Sequence, residues 1–197
     1  MNLPSCVLGA ALLFLQATDS PEAALQRVRS LVAVAPLIGN EESIAGRYTS
    51  APKELTDRIG PVTSGEDLHL FPDGTYTYCE WADIMPVTVY DKGMWRMSGL
   101  TIELTSDAEV RWGPGGGCSR LQRRYLLFQR LGLTRDAVLM DLGCALSSLV
   151  KDSRDPAFGL LVLGLLRTET YDRAKATKVR AELIKNAWRP QWFKPIH

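Results

Sequence analysis

The sequence predicts a mainly β protein: an antiparallel up-and-down barrel of about eight strands, with a short N-terminal helix and a C-terminal helix packed outside. Three observations predict this fold. Apolar and polar residues alternate along most of residues 46–167, as they do in half-buried strands. Short turns containing glycine or proline separate the alternating runs. About eight such runs occur, the number that closes a small barrel.

The N-terminal segment has the features of a secretory signal. Its apolar run covers residues 7–15, which suits the core of a signal peptide and is shorter than the roughly 20 residues that span a bilayer. We therefore predict that residues 1–17 are a signal peptide, with cleavage after Ala17, and that the protein is periplasmic or extracellular. A buried N-terminal helix is the alternative. If the start codon lies further upstream, Cys6 becomes a candidate for a lipid anchor.

Residues 18–45 are predicted to form a short helix and a linker. Ser20 offers a capping hydroxyl, Pro21 suits the first helical position, and Glu22 lies near the positive end of the helix dipole. The apolar residues that then recur at helical spacing are Leu25, Val28, Leu31 and Val32. Pro36 ends the pattern.

Residues 46–170 are predicted to form the barrel domain. Alternation is strictest in residues 100–104. Near residue 126 it places Tyr125 and Leu127 on one strand face and Leu126 on the other. The predicted strands cover residues 46–50, 66–71, 74–81, 86–97, 100–105, 122–131, 136–142 and 157–166.

The last of these runs, residues 157–166, does not alternate. A strand that is apolar on both sides has to be covered on both sides. The cover is predicted to be a helix over residues 172–188 that packs outside the last strands, with an apolar stripe of Ala176, Val179, Leu183 and Ala187. The alternative is that residues 157–166 are themselves a buried helix, which periodicity alone does not distinguish from a strand.

Composition excludes several classes of function. The net charge is +1, which gives no reason to expect nucleic acid as a partner. No C-x-x-C motif is present, so neither a zinc ribbon nor a thioredoxin-type redox motif is supported, and no metal or cofactor is predicted. After signal removal, three cysteines permit one disulfide and one free thiol: Cys79, Cys118 and Cys144. Buried, inert thiols are the alternative.

Catalytic residues are not predicted, and an enzyme is the least favoured class. The two histidines are His69 and His197, and no Gly-x-Ser-x-Gly motif occurs. His69 and Asp67 share one strand face, which makes them potential metal ligands, but we interpret them as a pair that faces solvent. A catalytic function would require a cleft that holds His69 together with at least two acids.

A ligand site is predicted where aromatic residues and acids are concentrated. Alternation places Tyr78 and Glu80 on one face of a strand and Trp81 on the other. Ligand sites combine aromatic walls with a few polar groups, although ordinary sheet packing explains the same residues. A glycine-rich loop follows Trp112 and suits a hairpin at a barrel end. The candidate ligand contacts are Tyr78, Trp81, Tyr90 and Trp112.

The C-terminal segment, residues 171–197, is basic: it holds seven lysines and arginines against two acids. Trp188 ends the predicted helix, and Trp192 and Phe193 follow it among prolines. A basic helix that ends in aromatic residues suits an anionic membrane surface or an acidic partner. A solvated outer face on a packed helix is the alternative.

Several segments together resemble the lipocalin-like group of small exported bacterial β-proteins: Gly46-Arg47-Tyr48, the hairpin of residues 68–76, Gly93-Met94-Trp95 and residues 100–104. Lipocalins begin their barrel with Gly-x-Trp and place a basic residue of the last strand against that ring. Here Tyr48 stands at the tryptophan position and Arg167 is the candidate partner, through a cation–π contact. The resemblance implies a non-enzymatic barrel that binds a small apolar or amphipathic ligand.

Overall fold

The computed structural model describes residues 20–37, 39–111, 118–131, 137–142 and 156–186. The helices are α1 (Pro21–Leu31), α2 (Glu41–Ile44), α3 (Lys53–Ile59), α4 (Pro156–Leu163) and α5 (Arg173–Asn186). The strands are β1 (Val34–Pro36), β2 (Gly46–Thr49), β3 (Ser64–Leu70), β4 (Thr75–Ala82), β5 (Met85–Ser98), β6 (Thr101–Arg111), β7 (Cys118–Arg130), β8 (Ala137–Asp141) and β9 (Leu165–Thr170). No helix in this part of the chain has both the length and the apolar composition needed to cross a membrane.

Strands β2 to β9 form a closed antiparallel barrel of eight strands, as the sequence predicts. Each strand pairs with its neighbour in the chain, and β9 returns to pair with β2, with Tyr48 opposite Arg167. The short strand β1 lies outside the barrel and pairs with the end of β7. The mainly β fold, the strand number and the presence of a C-terminal helix are therefore confirmed.

The prediction of a strand over residues 157–166 is wrong, and the helical alternative is confirmed. Helix α4 ends at Leu163, and the last strand begins only at Leu165. Leu160 and Leu161 are buried in a cluster that also contains Leu126 and Phe128 from the outer face of β7. The run lacks alternation because it forms a buried helix. Such a helix is apolar on all sides, whereas a period of two is typical of a half-buried strand.

Alternation sorts the strand residues into two cores. Tyr125 and Leu127 point into the barrel, while Leu126 lies on the outside, where α1 and α4 cover it. The barrel interior is filled by a continuous cluster of Ile44, Tyr48, Leu68, Leu70, Tyr76, Tyr78, Trp95, Ile102, Leu104, Tyr125, Leu127, Ala137, Leu139 and Leu165. A full interior of this kind is a packed core rather than a deep apolar cavity.

The N-terminal helix forms where its capping signals predict it. The Ser20 hydroxyl accepts a hydrogen bond of 3.2 Å from the backbone nitrogen of Ala23, and Pro21 is the first helical residue. The short helix α2 was not predicted. It is held by a capping box in which Asn40 and Ser43 bond to each other's backbone nitrogens.

The C-terminal helix α5 lies on the outer surface of the barrel. Its predicted apolar stripe faces the protein: Ala176, Val179 and Leu183 join a cluster with Phe71 and Tyr171. The helix therefore covers the region where β3 ends and β9 ends, and not the run of residues 157–166, whose helix α4 contacts α3. The fourth residue of the stripe, Ala187, lies outside the described residues.

Candidate functional site

The barrel bears a cleft of about 360 Å³ at one end. It lies where β3 begins and β4 ends, and we call it the mouth cleft. Its lining combines aromatic, acidic and small residues: Ser50, Ser64, Gly65, Glu66, Tyr78, Glu80, Trp81 and Ala82. The structure therefore brings together Tyr78 and Trp81, two of the four predicted ligand contacts.

Trp81 lies flat against its cross-strand neighbour Gly65. A Cβ atom at position 65 would lie 2.5 Å from Cζ2 of the indole ring, so only glycine leaves room for it. The indole nitrogen of Trp81 is buried and has no hydrogen-bond partner in the described part of the chain. Trp81 thus forms one wall of the cleft with an unused donor.

Tyr78 lies between two carboxylates. Its hydroxyl donates a hydrogen bond of 2.5 Å to Glu66 and lies 3.2 Å from an oxygen of Glu80. Glu66 and Glu80 are directly opposite each other in the β3–β4 register, where like charges repel. Burial and the bond to Glu66 raise the pKa of Tyr78, so the phenol keeps its proton and offsets that repulsion.

A second polar layer lies deeper in the barrel. The Asp91 carboxylate accepts a hydrogen bond of 2.6 Å from the Tyr76 hydroxyl and a further bond from the Ser106 hydroxyl. Burial raises the pKa of Asp91. Arg123 lies near both layers, with its guanidinium carbon 4.4 Å from the centre of the Tyr78 ring. The interior is therefore polar at its open end.

The opposite end of the barrel is closed. Trp95 donates a hydrogen bond of 2.9 Å from its indole nitrogen to the backbone oxygen of Phe71. Tyr48 is buried and donates a bond of 2.8 Å to the backbone oxygen of Ile44. Arg167 is the register partner of Tyr48, and its guanidinium donates a hydrogen bond of 2.6 Å to the backbone oxygen of Ser43. The predicted cation–π contact with Tyr48 stays a prediction.

Two predicted ligand contacts lie beyond what the structure describes. Tyr90 belongs to β5, but its side chain is outside the described residues, and so is all of Trp112. Both stay predictions. Of the three cysteines, the Cys144 residue and the Cys118 side chain are likewise outside. Cys79 is a free, buried thiol, and burial raises its pKa to about 12, so it is chemically inert.

A second cleft, of about 380 Å³, lies between α5 and the outer face of the barrel. We call it the helix cleft. Its lining residues are Arg47, Asp67, His69, Val87, Glu169, Tyr171, Val179, Glu182 and Leu183. The interpretation of Asp67 and His69 as a solvent-facing pair is wrong: they are 5% and 6% exposed. The sequence predicts the helix and its position outside the last strands, but no local pattern indicates that it covers Asp67 and His69 of β3.

His69 is held as a neutral ring. Its Nδ1 atom lies 2.7 Å from the Tyr171 hydroxyl, and burial lowers the pKa of the imidazole to about 4. Within the described residues no carboxylate hydrogen-bonds to the ring, so the acid pair that a catalytic histidine would require is not found there. The same residues contain no group of three or more metal-ligating side chains.

Comparison of the chain with protein-family models, with curated proteins and with solved structures found no match.

Proposed function

We propose that the protein is an exported, lipocalin-like binding protein that holds a small amphipathic molecule in the mouth cleft. One observation carries the proposal: a closed barrel with a filled interior bears at one end a cleft lined by Tyr78 and Trp81. A concave site with aromatic walls and a few convergent polar groups is the usual form of a small-molecule site.

The packing of the interior favours an amphipathic ligand over a purely apolar one. Leu70, Trp95 and Leu127 fill the closed end, so the described interior offers no deep space for an alkyl chain. The mouth cleft instead presents the indole of Trp81 beside the carboxylates of Glu66 and Glu80. A ligand with an apolar body and a hydrogen-bonding head would satisfy both surfaces.

Isothermal titration calorimetry with phenethyl alcohol, phenylacetate and phenethylammonium, which join a compact apolar body to three different heads, tests this proposal. We expect saturable binding of at least one of the three probes and a weakening of about tenfold in Trp81→Leu, which removes the aromatic wall. Met94→Leu is the matched control, because Met94 is an exposed apolar residue outside the cleft. Absence of saturable binding, or equal binding by Trp81→Leu, would contradict the proposal.

The alternative is an interaction module that uses the basic C-terminal helix on an anionic membrane or an acidic partner. In the described part of α5, three of the basic residues are ion-paired to the rest of the protein: Arg173 to Glu42 of α2, Lys175 to Glu169 of β9, and Arg180 to Asp73 of the β3–β4 turn. These ion pairs give the basic residues of α5 a structural role: they hold the helix against the rest of the protein. Sedimentation with anionic vesicles tests the alternative, which requires that Lys178→Ala with Lys185→Ala lose vesicle binding.

Export is proposed from the apolar run of residues 7–15. Expression in a bacterial host with fractionation of the envelope, followed by N-terminal sequencing, tests it. The expected mature chain begins at Thr18. Recovery of the intact N-terminus from the cytoplasmic fraction alone would contradict both the signal peptide and the periplasmic or extracellular location.

A further inference from the structure

The helix cleft contains a hydrogen-bonding group that is fixed in place and only half used. The imidazole of His69 is stacked with the ring of Tyr171 at an interplanar angle of 9° and with Phe71 at 16°. Tyr171 occupies Nδ1 at 2.7 Å, and Nε2 has no partner among the described residues. Nε2 is not one of the fully buried unpaired atoms, and the ring lines the helix cleft, so Nε2 is accessible to a molecule bound there.

The charges on this side of the cleft already compensate one another. Asp67 pairs with Arg47 at 2.9 Å, Arg47 with Glu169 at 3.5 Å, and Glu169 with Lys175 at 2.9 Å. Two anions and two cations therefore alternate along a single chain of ion pairs. Arg47 Nε and Asp67 Oδ1 are buried and have no hydrogen-bond partner among the described residues, but both belong to groups whose charge is already paired. A charged ligand would therefore find no free counter-ion here, which disfavours ionic ligands.

The other wall of the helix cleft is apolar. Val179 and Leu183 come from α5, and Val87, which is 40% exposed, comes from β5. The volume of about 380 Å³ is near the lower end of the range for ligand pockets, so it suits a small molecule. Glu182 lies at the exposed side of the helix, where it repels anions.

From these features we infer that the helix cleft is a second binding site, for a small uncharged molecule that carries a hydroxyl group on an apolar body. The hydroxyl bonds to Nε2 of His69, and the body packs on Val87, Val179 and Leu183. A hydroxyl both donates and accepts, so it matches either tautomer of the neutral ring. The site is distinct from the mouth cleft, because the two clefts share no lining residue.

Nitrogen NMR of the histidine rings tests the inference directly, with 1-hexanol, hexanoate and hexylammonium as probes. The chain has only two histidines, and the variant His197→Gln assigns the His69 signals. We expect 1-hexanol to shift the Nε2 resonance of His69 in a saturable manner, and the two ionic probes to bind at least tenfold more weakly. No saturable shift with 1-hexanol, or binding of hexanoate as tight as that of the alcohol, would overturn the inference.

A pair of variants on the same strand provides the second arm of the test. Val87→Asp places a charge in the apolar wall at an exposed position, so the barrel should stay folded while hexanol binding weakens at least tenfold. Met94→Asp is the matched control, because Met94 is 51% exposed on β5 and lies outside the cleft. Equal hexanol binding by Val87→Asp and Met94→Asp would place the alcohol elsewhere. Trp81→Leu, at the mouth cleft, should leave the shift of His69 unchanged.

Discussion

The Tyr78 hydroxyl donates a hydrogen bond of 2.5 Å to Glu66 at the open end of the barrel. The phenol approaches the carboxylate from the neighbouring strand, and both side chains line the mouth cleft. The pair thus links the stability of the barrel rim to the site that we propose for the ligand.

Tyr78→Phe should lower the free energy of unfolding by about 2 kcal/mol at pH 7, because it removes a hydrogen bond to a carboxylate and leaves Glu66 and Glu80 opposed without a shared donor. Urea unfolding measures the change. Thr77→Val, on the outer face of the same strand, is the control. A loss that is no larger in Tyr78→Phe than in Thr77→Val would show that the bond contributes nothing.

His69 should make stability depend on pH. Burial lowers its pKa from the ordinary 6.5 to about 4, so the unfolded chain binds a proton within this range that the folded chain does not. The contribution of the neutral ring is therefore complete above pH 6.5 and is lost as pH falls toward 4, by up to about 3 kcal/mol. Asp67, Arg47 and Glu169 are the charged groups that act on it.

Chemical unfolding of the protein and of His69→Gln at a series of pH values measures this contribution. The difference between the two stability curves should change between pH 6.5 and 4 and be flat above that range. The hydrogen bond from Lys175 lowers the pKa of Glu169, so that carboxylate loses its contribution at lower pH. Parallel curves would mean that the folded protein protonates His69 as readily as the unfolded chain.

Arg180 should anchor the C-terminal helix. One of its nitrogens lies 2.8 Å from Asp73 and 2.7 Å from the Thr75 hydroxyl, and its guanidinium covers the ring of Phe71. Because the pair is partly exposed, Arg180→Ala should cost only about 1 kcal/mol, with a smaller effect in high salt. Hydrogen exchange of α5 and thermal unfolding measure it. Lys178→Ala, at an exposed position of the same helix, should have no comparable effect.

Two glycines should respond differently to alanine. A Cβ at Gly46 would lie 2.1 Å from the backbone oxygen of Glu169, so Gly46→Ala should disrupt the pairing of β2 with β9 and cost about 3 kcal/mol or more. Gly99 has a φ of +60° but no neighbour within 4 Å, so Gly99→Ala should cost only about 1 kcal/mol of backbone strain. Thermal unfolding of both variants measures the difference, and equal losses would contradict the assigned close approach.

The barrel could be predicted because the residues that fill its interior recur at every second position along its strands. Alternation along β7 places Tyr125 inside and Leu126 outside, and the structure agrees. The run of residues 157–166 was assigned to the wrong element because an apolar helix and a doubly covered strand have the same composition. Periodicity reports only that a face is buried. It does not report which element buries it.

The candidate sites were only partly predictable for a related reason. Tyr78 and Trp81 were found because aromatic residues and acids are concentrated in one strand. The hydrogen bond between His69 and Tyr171 joins residues that are 102 positions apart, and no local sequence pattern predicts it. The same holds for the burial of Asp67, which depends on where α5 docks. Contacts between distant segments are decided by the tertiary fold and not by local sequence.

The seam between β2 and β9 also has a consequence for biosynthesis. Tyr48 of β2 is paired with Arg167 of β9, and most of the chain lies between them. The barrel therefore cannot close until nearly all residues have been synthesised. Contacts between residues so far apart in the sequence form slowly, and the unpaired edge strands of an incomplete sheet can pair with other molecules. A nascent polypeptide that ends before Leu165 would therefore lack β9 and expose two unpaired edge strands, β2 and β8. Such a chain would require a chaperone or would be degraded.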